Sequence, residues 1–70
     1  MPTYTMRQLA AFVAVAEWGT ITAAADAMHM SHSALSSAIT DLEKALAVKL
    51  LVRQRARGVK LTPTGHAVLE

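Results

Sequence analysis

Residues 20–45 read TITAAADAMHMSHSALSSAITDLEKA, a stretch with the pattern of two short helices. Thr20 and Ser31 each precede a run with helical character, and a hydroxyl before a helix can accept a hydrogen bond from a backbone N–H of the first turn. Small side chains between them would let a second helix approach closely. These small residues are Ala23, Ala24, Ala25 and Ala27. The sequence therefore predicts two helices, one over residues 20–29 and one over residues 32–45, joined by a tight turn near residues 29–31.

The second of these helices is predicted over residues 32–45 and has two different faces. Its apolar residues recur at helical spacing, which is typical of a face packed on a core. They are Leu35, Ile39, Leu42 and Leu46. The opposite face carries short hydroxyl side chains where a solvated helix normally carries Glu and Lys. That face holds Ser33, Ser36, Ser37, Thr40 and Lys44.

An earlier helix is predicted from about Met6 to Glu17. Thr5 and Gln8 match the S/T-x-x-E/Q capping box, and Gly19 is suited to the left-handed conformation that ends many helices. The expected core face consists of Leu9, Phe12, Val13 and Ala16. The small residues Ala10, Ala11 and Ala14 either reflect helix propensity or offer a surface on which another helix packs closely.

The pattern changes from Lys49 onward, and residues 49–61 form a basic segment. Strand-forming residues at 50–52 and 59–61 flank Gly58, which predicts a β-hairpin. Thr62 and Pro63 then suit the cap and first position of a fourth helix. We therefore expect one domain over residues 1–61 and the start of a further helix over residues 62–70. The expected fold class is mainly α, with three core helices and a two-stranded hairpin.

Composition narrows the classes of function. The chain has 70 residues and no cysteine, and 14 of its hydrophobic residues are alanine. The longest apolar run, residues 9–16, is far shorter than the ~20 residues of a membrane-spanning helix. These features favour a small cytoplasmic domain that rests on helix packing, without disulfides or thiolate metal sites.

The charges are distributed unevenly. Residues 1–43 contain one arginine and four acidic residues, whereas residues 44–60 contain six basic residues and no acidic one. Such a stretch indicates a polyanionic partner, either a nucleic acid or an acidic membrane surface. A solvated basic hairpin without a partner is the alternative.

Catalysis and metal binding are poorly supported. Ser31, His32 and Ser33 are sequence neighbours with no third group placed to orient the imidazole. Asp26, His29 and His32 have a three-residue spacing, but the predicted turn separates them, so they would not share one helix face. We expect no enzyme activity, no bound metal and no cofactor.

The remaining pattern favours binding of double-stranded DNA. In a helix-turn-helix unit the second helix enters the major groove, with its amino-terminal residues at the base edges. The candidate DNA-contacting residues on or beside this helix are Ser31, His32, Ser33, Ser36, Ser37 and Thr40. The candidate phosphate-binding residues of the hairpin are Arg53, Arg55 and Arg57.

Several stretches together resemble the amino-terminal winged helix-turn-helix of LysR-type transcriptional regulators. They are LAAFVAVAE at residues 9–17, TITAAA at 20–25, SHSALS at 31–36, Leu42-Glu43, and LTPTG at 61–65. Ser36 and Arg53 match the family's DNA-facing serine and wing arginine. His32 and Ser37 stand where Gln and Arg are common, Ala47 where Gly is, and Leu51 where Phe is.

The resemblance implies a bacterial transcriptional regulator that binds a pseudo-palindromic operator. It implies a homodimer or higher homo-oligomer formed through a long linker helix that begins at Thr62. It also implies a small-molecule co-inducer, bound by a carboxyl-terminal domain absent from these 70 residues.

Two rival functions remain. A winged-helix module can serve protein–protein interaction, in which case a partner would cover the face from Ser33 to Thr40. A peripheral membrane binder needs a basic amphipathic helix, and Gly58 with its flanking strand formers argues against one. We therefore expect DNA binding and no membrane partner.

Overall fold

Three α-helices, a β-hairpin and a short fourth helix follow one another along the chain. A computed structural model describes residues 4–54 and 58–69. The helices are α1 (Met6–Trp18), α2 (Ile21–Met28), α3 (His32–Leu46) and α4 (Pro63–Leu69), and the strands are β1 (Leu51–Gln54) and β2 (Gly58–Leu61). This confirms the predicted fold class and places each helix within one or two residues of its expected bounds.

Side-chain hydroxyls cap the starts of the helices as predicted. Thr5 Oγ1 accepts from Gln8 N at 3.1 Å, and Gln8 Oε1 accepts from Thr5 N at 3.0 Å, which completes the capping box. Thr20 Oγ1 accepts from the backbone N–H of Ala23 at 3.0 Å, at the start of α2. Gly19 ends α1 in the left-handed region, at φ 83°.

The core lies where α1, α2 and α3 meet. These helices contact one another pairwise, and every buried side chain among the described residues is apolar. The core comprises Ala11, Phe12, Ala14, Val15, Ile21, Ala24, Ala25, Leu35, Ile39, Leu42, Leu50 and Leu51. The alanines of α1 and α2 keep the helices close, because small side chains reduce the distance between helix axes.

The face of α1 that packs into the core differs from the predicted one. Of the expected set only Phe12 is fully buried, together with Ala11 and Val15. The predicted residues that are only half-buried are Leu9, Val13 and Ala16. The prediction was wrong because residues 9–16 are apolar on every side, so spacing alone does not select a face. Contact with α2 and α3 makes that selection.

The hairpin is antiparallel and rests against the helices. Its register pairs Leu51 with Leu61 and Arg53 with Val59. Val59 N donates to Gly19 O at 3.2 Å, which ties β2 to the turn between α1 and α2. Leu50, predicted as a strand residue, instead precedes β1, because its N–H and C=O bond to groups outside the hairpin. Its side chain is fully buried.

No helix within residues 4–54 and 58–69 combines the length and apolar character needed to span a bilayer.

Candidate nucleic-acid interface

The turn between α2 and α3 presents the amino-terminal end of α3 to solvent. His29 ends α2 in the left-handed conformation, and the next N–H, from Met30, donates to Ala25 O at 2.9 Å. Ser31 then caps α3, its Oγ accepting from Ala34 N at 3.0 Å. Unpaired backbone N–H groups give such a helix end a partial positive charge. This end of α3 is therefore suited to an anionic partner.

The face of α3 opposite the core is open to solvent in its first two turns. The side chains of His32, Ser33 and Ser37 are exposed, whereas Ser36 and Thr40 are half-buried. At 100° per residue all five project over a single side of the helix. The structure thus brings together the predicted residues of α3 on one surface with short polar side chains.

The hydroxyls of Ser31 and Thr40 already form intramolecular hydrogen bonds. Thr40 Oγ1 donates to Ser36 O at 3.0 Å, one turn earlier in the same helix. Ser31 Oγ accepts from Ala34 N, so its hydroxyl proton remains available to a ligand. Thr40 in this rotamer can only accept a further hydrogen bond, which narrows what it can recognise.

The hairpin brings basic residues beside α3. The backbone of Arg53 lies in β1. The structure does not describe the Arg53 side chain or any part of Arg55 and Arg57. Lys49 and Lys60 are exposed, on the segment before β1 and on β2 respectively. Lys49 and Thr40 of α3 line one open cleft, which brings positive charge next to the polar face.

Glu43 has a role that sequence reasoning missed. Its Oε2 accepts hydrogen bonds from Leu50 N at 2.8 Å and from Leu51 N at 3.2 Å. The carboxylate therefore ties α3 to the segment that leads into the hairpin. The sequence signal was the acidic residue immediately before the basic stretch, which does not by itself indicate a backbone partner.

An open cleft lies between α3 and β1. It has a volume of about 480 Å³ and is lined by Ile39, Thr40, Glu43, Lys49, Leu51 and Val52. The side chain of Val52 is half exposed there. Thr40 lies on the polar face of α3 and Lys49 on the segment before β1, so the cleft lies where these two surfaces meet.

A second exposed surface lies on α1. An apolar groove of about 350 Å³ is lined by Met6, Leu9, Ala10, Val13, Ala14, Glu17 and Met28. Of the small-residue surface considered from the sequence, Ala10 is exposed, whereas Ala11 is fully buried against the neighbouring helices and does not face a partner. Larger apolar side chains, such as Met6 at 77% exposure, form most of this groove.

The residues weighed as metal ligands do not come together. Asp26 and His29 lie at the end of α2, and His32 begins α3 after the turn. In the described part of the chain, no three His, Asp or Glu side chains cluster in a way that could hold a metal ion.

Known proteins match this chain in sequence over most of its length. The family model for bacterial regulatory helix-turn-helix proteins of the lysR family matches residues 6–66. The uncharacterized HTH-type transcriptional regulator YvbU of Bacillus subtilis is 45% identical over 65 residues, which are 93% of this chain and 22% of that protein. The chain thus spans about a fifth of the length of the curated relatives it matches.

Solved structures agree with the sequence match. The crystal structure of the CbnR_DBD–DNA complex has a TM-score of 0.87 and 43% identity, covering 93% of this chain and 74% of that one. The BenM_DBD/benA site 1 DNA complex has a TM-score of 0.84 and 42% identity, covering 91% and 73%. The capped α2–α3 unit, the hairpin and the family match over most of its length together establish that this chain belongs to the LysR family of bacterial regulatory helix-turn-helix proteins.

Proposed function

We propose that this chain binds double-stranded DNA sequence-specifically, as the DNA-binding part of a bacterial transcriptional regulator. The observation that carries the proposal is the exposed polar face at the start of α3, formed by His32, Ser33 and Ser37 opposite the buried apolar face. An α-helix fits the major groove of B-form DNA, where base edges display distinct donors and acceptors. The relatives solved as DNA complexes support this interpretation.

Each candidate residue has a proposed role. The residues proposed to face base edges are His32, Ser33, Ser36 and Ser37, since the short serine hydroxyls permit close approach and the imidazole can donate. Ser31 is proposed to donate to a phosphate near the helix end. Ser36 and Thr40 are half-buried, so they would contact the DNA closer to the helix axis than their exposed neighbours. Thr40 would accept a hydrogen bond there.

The hairpin is proposed to bind phosphates through Arg53, Arg55 and Arg57, supported by Lys49 and Lys60. Such contacts add affinity without sequence information and displace condensed counterions. Arg53→Ala should weaken binding to every duplex and reduce the slope of log affinity against log salt by about one. An unchanged slope would remove Arg53 from the phosphate contacts.

The direct experiment is a fluorescence-anisotropy titration at several salt concentrations. The chain is titrated with duplexes enriched from a random pool and with shuffled duplexes of equal composition. We expect a steep salt dependence on both and tighter binding to the enriched sequences. Absence of duplex binding at low salt would reject the proposal and favour a protein-contact function for the α3 face.

The oligomeric state follows as a second part of the proposal. We propose a homodimer or higher homo-oligomer in which residues 62–70 begin a linker helix, separate from the domain of residues 1–61. The apolar groove of α1 and the partly exposed Val68 and Leu69 of α4 offer apolar contact area to a second copy. Two linked copies would place two recognition helices on a pseudo-palindromic operator.

Sedimentation velocity tests this contact. Ala10→Glu places a charge in the groove and should shift the chain toward monomer, whereas Thr22→Glu, on an exposed position of α2, should not. Equal sedimentation of both variants and the parent chain would exclude the groove as the contact surface.

The properties of the whole protein are further proposals. A regulator with the length of the matched relatives has room for a second domain that binds a small co-inducer. DNA binding would place the protein in the bacterial cytoplasm. The chain belongs to a regulator family and not to an enzyme family, and we propose that it has no catalytic activity or cofactor.

A further inference from the structure

Residues 49–51, where the chain enters β1, are hydrogen-bonded both to α3 and to the start of α4. From α3, Glu43 Oε2 accepts from the N–H groups of Leu50 and Leu51. From the start of α4, Thr62 Oγ1 donates to Lys49 O at 2.6 Å and Thr62 N donates to Leu50 O at 3.0 Å. Residues 49–51 thus connect the helix with the polar face, the hairpin and α4 through consecutive peptide groups.

The α4 side of this connection is closely packed. Thr62 Oγ1 also accepts from Gly65 N at 2.9 Å, so one hydroxyl serves both the cap of α4 and the bond to Lys49 O. Gly65 lies directly against the carbonyl of Leu50, where a Cβ atom would overlap the oxygen. The position of α4 is therefore set by backbone groups of residues 49–51.

The two hydrogen bonds to the Glu43 carboxylate are of a strong type. Bonds from N–H groups to an ionised carboxylate are roughly twice as strong as neutral ones, and partial burial reduces competition from water. Glu43 is half-buried, and Leu50 is fully buried beneath the bonds. β1 begins at Leu51, the second of the two donors, so the carboxylate acts on the first residue of the hairpin.

We propose that Glu43 and Thr62 are positioning residues for DNA binding, which orient the basic hairpin relative to α3 so that both engage one duplex. The inference rests on the proposed DNA-binding function. Neither residue needs to touch DNA. Without these bonds the hairpin can still form, but its cations no longer meet the phosphates while α3 occupies the groove.

Glu43→Ala and Glu43→Gln separate positioning from simple charge. Both remove one negative charge, and charge alone would make both bind DNA more tightly and equally. The Gln amide oxygen can still accept from both N–H groups, whereas Ala cannot. We expect Glu43→Ala to weaken duplex binding roughly three- to tenfold and lower the salt slope by about one, with Glu43→Gln in between.

Asp41→Ala and Asp41→Asn are the matched controls, since Asp41 is an exposed acid two residues away on α3. We expect binding by both to be unchanged or tighter, with the parent salt slope. Circular dichroism establishes that each variant is folded at the titration temperature. Identical behaviour of the Glu43 and Asp41 variants would overturn the proposal while leaving the proposed function intact.

Thr62→Val and Thr62→Ser test the hydrogen bonds between α4 and residues 49–51. They test the positioning role even if Glu43→Ala fails to fold. Val retains the shape of Thr but loses both hydroxyl bonds, whereas Ser keeps them. Thr62→Val should lower the salt slope and Thr62→Ser should restore it. Equal slopes for the two variants would contradict the proposal.

Amide exchange gives a readout that does not depend on DNA. The N–H groups of Leu50 and Leu51 should exchange faster in Glu43→Ala than in Glu43→Gln, because only the latter retains an acceptor. Unchanged exchange would show that the carboxylate does not hold this segment. Failure of the parent chain to bind any duplex would instead reject the DNA-binding function and this positioning role with it.

Discussion

The α2–α3 unit differs from residues 47–54 and 58–62 in how far hydrogen bonds supplement apolar burial. The helices rest on apolar burial, with Leu35 and Leu42 fully buried in the middle of α3. The later segments bury Leu50 and Leu51, and Val48, Val59 and Leu61 pack partly against the core. Hydrogen bonds involving Glu43, Gly19 and Thr62 hold them in addition. Burial is non-directional and spread over many atoms, whereas a hydrogen bond depends on one geometry.

This difference separates stability from function. Substitutions in α3 that reduce burial should unfold the domain and lose function only as the folded fraction falls. Substitutions at the polar contacts should alter the orientation of the hairpin while most of the core survives.

Leu35→Ala should have the largest effect. The Leu35 side chain is fully buried, and truncation of such a residue costs about 2–5 kcal/mol through lost burial and a residual cavity. Urea denaturation measures the loss, with Ser37→Ala on the exposed side of α3 as the control. A loss below 1 kcal/mol would show that α3 is not held mainly by burial.

Gly65→Ala should come next. The added methyl would meet the Leu50 carbonyl, and overpacking of this kind costs roughly 1–3 kcal/mol, in spite of the better helix propensity of alanine. Thermal unfolding measures the change. Ala67→Gly, on an exposed position of the same helix, indicates how much propensity alone contributes. A more stable Gly65→Ala variant would mean that α4 moves away from residue 50 without penalty.

Ser36→Ala tests base recognition within the helix unit. We expect it to change relative affinity among operator variants by about 1 kcal/mol, in the range of a single base-pair mismatch. Competition titrations with single-base variants provide the measurement. An equal loss on every sequence would assign Ser36 to positioning on the DNA backbone.

Ala47→Gly and His29→Gly compare the two junctions directly and should have the smallest effects. Both residues adopt the left-handed conformation at φ 57°. Glycine relieves that strain, so Ala47→Gly should stabilise the domain by roughly 0.5–1 kcal/mol after the entropy cost in the unfolded chain. His29→Gly should gain less, because histidine tolerates this region better than alanine. Thermal melts of both variants would contradict this if the order were reversed.

Much of the local structure could be predicted from short-range chemistry. Thr5, Thr20, Ser31 and Thr62 were expected caps, and each hydroxyl accepts from an N–H in the first turn of its helix. Capping depends on residues within three positions of one another, so it can be read along the chain. The polar face of α3 was predictable for the same reason, since a single apolar seam repeats at helical spacing.

The candidate site was only partly predictable. The sequence indicated which side chains of α3 share a face, but not that Thr40 bonds to its own helix backbone. The DNA-contacting roles of these residues and of the hairpin arginines stay predictions. The connection through Glu43 could not be foreseen, because its partners are backbone groups seven and eight residues away whose direction depends on the path of the loop.

By itself the sequence determined the helices, their caps, the hairpin and the concentration of positive charge after residue 43, because each depends on neighbours along the chain. Only the tertiary structure decided which side of α1 faces the core. Residues 9–16 are apolar all round, and contact with α2 and α3 left Met6 and Ala10 exposed. Only the tertiary structure also joined α3, the hairpin and α4 through residues 49–51. Burial and backbone hydrogen bonding between distant segments depend on how the whole chain packs, and that packing cannot be predicted from local periodicity.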